Sequence, residues 1–183
     1  MTWWTNVGRF GVASVAALAV AGTAQAATQG SQGATSTGSV SISASVPNRV
    51  RISGLSDVAF TNVDPAVDAS NAQNVCVWSN TGTKGYNITA SGSGAGSAFT
   101  LSNAALNVPY SVEWSGSSGQ SSGTALTSGT ALTGLTSTAT NANCASGPSA
   151  SASLIVKILS ANLQSMPAST NYTGTLTLVV APE

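Results

Sequence analysis

At 183 residues the chain is long enough for one domain with a sizeable core, and its charge is sparse: five Lys plus Arg against five Asp plus Glu, formal net charge zero. Charged residues make up 5% of the chain, against about a quarter in a typical soluble protein, so there is no electrostatic footprint for DNA, RNA or an anionic lipid surface. Histidine is absent, which removes Ser-His-Asp and Cys-His nucleophile activation and the usual zinc sites.

Arg9 precedes an apolar run from Phe10 to Gly22, and Ala24-Gln25-Ala26 forms a small-x-small cleavage site. Residues 1–26 are therefore read as a cleaved secretory signal, the run being too short for a membrane span; the alternative is a retained N-terminal anchor. Trp3 and Trp4 leave with the signal, and Trp78 and Trp114 remain. Residues 27–37 are polar and of low complexity, and are expected to be mobile until captured.

From Gly38 to Pro47, Val40, Ile42, Ala44 and Val46 alternate with four serines, the period of a half-buried strand. Pro47 closes the run, because it cannot donate to a ladder and restricts the residue before it. No turn signal ties this strand to a hairpin partner, so it is expected to pair with another molecule. A second short strand from Arg49 to Ser53 places Val50 and Ile52 on one face and two arginines on the solvated other. Val58 to Val63 forms another expected strand, ended by Asp64-Pro65, and residues 64–74 read as a loop. Asp57, Asp64 and Asp68 lack the order of a calcium loop, so no metal is expected.

Val75 to Trp78 and Gly85 to Ser91 flank Asn80-Thr81-Gly82 and read as an antiparallel hairpin. Phe99 and Leu101 follow, then the best-patterned run, in which Leu106, Val108, Tyr110, Val112 and Trp114 alternate. Pro109 inside it predicts an edge strand or a bulge. Residues 115–143 are nearly all Ser, Gly, Thr, Ala and Asn, with Ser-Gly-Thr-Ala-Leu-Thr at 122–127 and again at 128–133. They read as a long surface excursion with one short strand around Leu132 and Leu135. Ser153 to Ser160 is apolar on both faces apart from Lys157, as in a central strand. The last strand, Tyr172 to Ala181, puts Tyr172, Gly174, Leu176, Leu178 and Val180 on one face.

Cys76 and Cys144 fit no metal spacing, and an even pair in an exported chain reads as a disulfide. Closing that loop would stabilise by about 4 kcal/mol on the chain-entropy estimate. Glu113 is the only internal glutamate, so the paired carboxylates of a glycosidase are missing, and no glycine-rich phosphate loop opens a helix. The chain is expected not to be an enzyme and to need no cofactor. Trp78 and Trp114 sit in alternating strands, which favours core packing over sugar stacking. Many short strands and no convincing helix give an all-β, antiparallel sandwich.

A signal peptide, the Val-x-Ile-x-Ala-x-Val strand, Pro47, the Val50/Ile52 strand and the C-terminal Tyr172-x-Gly174-x-Leu176-x-Leu178 strand together resemble subunits of chaperone–usher pili. The likeness runs to CS1/CFA/I-type major pilins of the alternate class, then to spore-coat-U-like pilins of archaic systems, which more often carry a disulfide. The resemblance implies an immunoglobulin-like sandwich lacking its last strand, with residues 27–47 as an N-terminal extension and 48–183 as the pilin domain. It further implies a groove filled first by a periplasmic chaperone. At an outer-membrane usher, the extension of an identical or related subunit then replaces the chaperone, a known mode of strand addition. Val40, Ile42, Ala44 and Val46 match the donor positions, and the product would be a cell-surface fimbria serving adhesion or biofilm formation. The alternative is a self-complete secreted sandwich that binds carbohydrate.

Overall fold

The computed structural model describes residues 26–103, 106–168 and 170–183; apart from Ala26, the predicted signal lies outside them. The chain divides into two units, Met1–Ser45 and Val46–Glu183. In the described part of the first, Thr28 and Ser39 exchange backbone hydrogen bonds of 2.9 and 3.0 Å, an isolated antiparallel bridge. Every described residue up to Arg49 is exposed, and none from 40 to 49 belongs to a ladder. Apart from Ser39, the predicted 38–47 strand joins no ladder among the described residues, and its apolar side chains are exposed.

In the second unit, period-2 alternation builds the strands. β1 (Val50–Ser53) pairs with β2 (Ala69–Ser79), β2 with β9 (Ala152–Ile158), β9 with β6 (Ser111–Ser115), and β6 with β7 (Thr124–Ala125). A second sheet has the order β10 (Leu176–Pro182), β3 (Gly85–Gly92), β8 (Ala131–Thr136), and β4 (Thr100–Ser102) with β5 (Asn107–Pro109) makes a small ribbon. All pairs are antiparallel. One short helix, α1 (Ser160–Leu163), follows β9, where no helix was expected.

The fold is an antiparallel β-sandwich. Val75 and Val77 of β2, Val112 and Trp114 of β6, and Leu154, Val156 and Ile158 of β9 meet Tyr86, Ile88 and Ala90 of β3 in one core. Trp114 Nε1 donates to the Tyr86 hydroxyl at 3.2 Å, tying the two sheets. That bond relieves part of what burial does to Tyr86, whose phenol is nonetheless pushed above its ordinary pKa. The alternate residues of β2, Cys76 and Trp78, face outward. Cys76 is bonded to Cys144 (S–S 2.09 Å, Cα–Cα 6.0 Å), as expected, and with Ala139 they form a small cluster against which Trp78 packs half-buried. Trp78 therefore lies outside the main core, whereas Trp114 is within it.

Several expectations change. β2 starts at Ala69, inside the predicted loop: its polar first half, Ser70 to Asn74, pairs with β9 through the backbone ladder, with one side-chain bond from Ser153 Oγ to Asn74 Oδ1 at 3.3 Å. β2 and β3 do not form a hairpin, since they belong to different sheets. The chain crosses between them at Ser79–Lys84, where Ser79 Oγ donates to the Gly85 carbonyl and contacts Thr81 Oγ1, and Lys84 adopts φ 56°. The run from Leu106 to Trp114 breaks at Tyr110, whose N–H turns to the Phe99 carbonyl. β6 beyond the break is an interior strand with neighbours on both sides. The excursion 115–143 carries two strands, β7 and β8, in different sheets. β8 is irregular opposite Tyr86 and Ile88, where Gly134 takes φ 72°, open to glycine at no steric cost.

Candidate functional site

β10 has a partner on one side only, β3, so every second N–H and C=O along its other edge has no ladder partner. Its inward side chains, Leu176, Leu178 and Val180, are only partly buried. Facing the same space is the segment of residues 55–63, predicted to be a strand from Val58. Val58, Phe60 and Val63 do turn towards the core, but no ladder forms, and the backbone of residues 57–63 makes no hydrogen bond. The alternation was legible, but among the described residues it has no ladder partner. The segment is held at its ends: Gln73 donates to the Ser56 carbonyl (3.0 Å) and accepts from the Ser56 N–H (2.7 Å), and Asp64 Oδ1 accepts from the Ala66 N–H.

Between these walls lies a groove of about 640 Å³. Its lining includes Leu154, Val156 and Ile158 of β9, Leu163 of α1, and Met166, Leu101, Tyr110 and Tyr172, with Leu176 and Leu178 on one side and Val58, Phe60 and Val63 on the other. Asp57 is the one Asp, Glu, Lys or Arg in that lining, which also holds the phenols of Tyr110 and Tyr172. Burial pushes the Tyr110 phenol above its ordinary pKa. Among the described residues, the Tyr172 hydroxyl is the one buried side-chain polar atom without a hydrogen bond.

Such a surface can accept an extended apolar segment. Among the described residues no group of His, Cys, Asp and Glu could hold a metal ion, and no helix is long and apolar enough to cross a membrane. The predicted donor residues are accessible: Val40 is 71% exposed, Ile42 90% and Val46 76%, with Ala44 also exposed. Trp114, weighed against a sugar-binding role, is 1% exposed and presents no free ring face. Missed in the sequence were the contributions of Leu163, Met166 and the 55–63 wall, because residues brought together from separate elements leave no local motif.

No protein-family model and no curated protein matches the chain. A solved chaperone–tip adhesin complex, described as vital for synergistic activation of CFA/I fimbriae biogenesis, is similar to it with a TM-score of 0.46 and 13% identity. The match covers 74% of this chain and 41% of that one, so the chain spans less than half the length of the structure it matches.

Proposed function

We propose that this chain is a structural subunit of a surface pilus, polymerised by inserting residues 40–46 of one copy into the groove of the next. What supports it is one conjunction. The sandwich has an apolar groove with unpaired backbone on both walls, and the same chain carries an exposed alternation of matching chemistry. The alternation is seven residues long, as is β10, and spans about 20 Å when extended. A strand laid there would pair along β10 and along residues 57–63, with Val40, Ile42, Ala44 and Val46 towards β9 and the serines towards water. Full burial of Val40, Ile42 and Val46 contributes about 1.5–3 kcal/mol each before ordering costs. Donor and acceptor are different surfaces of one subunit, so the contact is head-to-tail, does not close, and generates a filament.

On this reading residues 1–26 are a cleaved signal, 27–47 the extension and 48–183 the sandwich. A periplasmic chaperone covers the groove before assembly, an outer-membrane usher exchanges it for the next subunit, and the pilus stands on the cell surface.

The test is a pair of substitutions in the extension. Ile42→Asp puts a carboxylate into an apolar pocket, a cost of several kcal/mol. The variant is expected to fold with its chaperone and accept a wild-type strand, yet fail to donate its own. Ser43→Asp, on the solvated face, is expected to assemble nearly normally. Sheared surface fibres are compared on gels, with chaperone co-purification as the folding control. Normal fibres from Ile42→Asp, or equal loss from both variants, would overturn the proposal.

A further inference from the structure

Where the exposed extension meets the sandwich, one side chain holds the backbone. Asn80 Nδ2 donates to the Pro47 carbonyl at 3.0 Å, Asn80 Oδ1 accepts from the Arg49 N–H at 2.5 Å, and the Asn80 N–H donates to the Arg49 carbonyl at 3.1 Å. The β1–β2 ladder ends one residue earlier, with Val50 opposite Ser79. The Asn80 amide therefore adds a rung that backbone alone does not supply: its carbonyl and amino group satisfy both an N–H and a C=O of the facing chain. Pro47 contributes a locked φ and no competing donor, and it confines Val46 to extended geometry. Asn48 alone is left between the two clamped groups.

We infer that Asn80 is a positioning residue that sets the stiffness of the junction between consecutive subunits. The inference rests on the donor-strand reading above. With Val46 seated in the neighbour's groove and the Pro47 carbonyl fastened to its own sandwich, the two bodies are separated by no free residue. The filament then bends only as far as these hydrogen bonds and the proline allow. Asn80→Ala frees the Pro47 carbonyl and the Arg49 N–H, leaves only the backbone bond to the Arg49 carbonyl, and so loosens a fixed joint towards a flexible linker. The acceptor groove, lined by other residues, is untouched.

The experiment assembles filaments from the full mature chain and traces their contours by electron microscopy. Asn80→Ala is expected to assemble in wild-type amounts but with persistence length lowered about twofold or more, as for a residue moved from an ordered to a flexible linker regime. Asn80→Asp, which keeps the acceptor for Arg49 but loses the donor to Pro47, is expected to fall between. A Gly-Ser insertion between Asn48 and Arg49 bypasses the clasp and is expected to soften the filament at least as much. Failure of the wild-type chain to form filaments would sink the donor-strand reading. Wild-type filaments matched in stiffness by those of Asn80→Ala, or by the insertion variant should Asn80→Ala not fold, would overturn the clasp alone.

Discussion

The sandwich has two lateral edges, and they are finished in opposite ways. At the β7–β8 edge the tandem hexapeptide carries the chain from one sheet to the other. Thr124 and Ala125 of the first copy pair with β6, and Ala131 and Leu132 of the second pair with β3. Between them the Leu126 N–H bonds to the Val112 carbonyl and the Gly129 N–H to the Ala90 carbonyl, both at 2.9 Å. Backbone groups of both sheets are thus satisfied, and Leu126 is buried. At the β10 edge nothing crosses, and Leu176, Leu178, Val58 and Phe60 line an open groove instead. The closed edge is mostly Ser, Gly, Thr and Ala, with Leu126 and Leu132 among them, and the open one is lined by larger apolar residues. Closure is decided by whether a strand is supplied, since a ladder needs backbone partners before it needs apolar side chains.

If the packed body of the sandwich holds together without help from the open edge, damage to it must be expensive in the isolated subunit. The largest effect is expected from removing the Cys76–Cys144 bond, which spans 68 residues. Replacing both cysteines by Ala should cost about 4 kcal/mol, measured by urea unfolding. A loss under about 1 kcal/mol, outside the usual range for a native disulfide, would show that the packed body does not depend on it.

The sharpest comparison sets Ile88→Ala against Leu178→Ala. Ile88 is fully buried between the sheets and should cost about 3 kcal/mol in the isolated subunit. Leu178, partly buried on the groove wall, should cost less there, about 2 kcal/mol, because part of its side chain still meets water and the open groove lets its neighbours adjust. In assembled filaments the order should change, Leu178→Ala lowering the disassembly temperature clearly more than its effect on the lone subunit predicts. Equal costs for Leu178→Ala in both settings would mean the groove stays open in the polymer.

The smallest effect concerns the Lys157–Glu113 pair, at 2.7 Å across β9 and β6. The Lys157 ammonium hydrogen-bonded to Glu113, helped by the Gly123 N–H on its other oxygen, holds that carboxyl below the usual range. A carboxyl lowered in the folded state stabilises above its ordinary pKa, and that stabilisation disappears as pH falls through the lowered folded value. Glu113→Gln should therefore lose at most about 1 kcal/mol near neutrality and nothing once the medium is acid enough to protonate Glu113. A difference that persists in acid would assign the effect to packing.

Strands that bury one face declared themselves by alternation, as in β3, β6 and β10, and β9 by being apolar on both faces, which is what a strand with neighbours on either side requires. The polar half of β2 did not, because Ser70 to Asn74 are held by ladder bonds that leave no mark on side-chain type. Nor did the crossing at Ser79–Lys84, since Asn-Thr-Gly serves equally well in a turn back along one sheet and a step to another. The donor face was visible as Val40, Ile42, Ala44 and Val46. The proposed acceptor was only half visible: Val58, Phe60 and Val63 showed a strand-like period, but no residue pattern marks that they form no ladder with the rest of the described chain.

The outward pair of β2 has a consequence under tension. In a filament built as proposed, load enters each subunit near Pro47, runs through β1, and leaves by way of β10 and the strand beside it. Cys76 lies opposite Ser53, the last residue of β1, and its sulfur is bonded to Cys144. The covalent path steps from the front of the sandwich to its last third, and residues 77–143 are bypassed. Were a subunit to be pulled open, roughly 240 Å of contour length, the extended reach of 68 residues, could not be paid out. The crosslink caps how far a yielding subunit can stretch, so a fibre under shear would lengthen in short steps and recover, with the buried Trp114–Tyr86 centre kept inside the loop that force cannot reach.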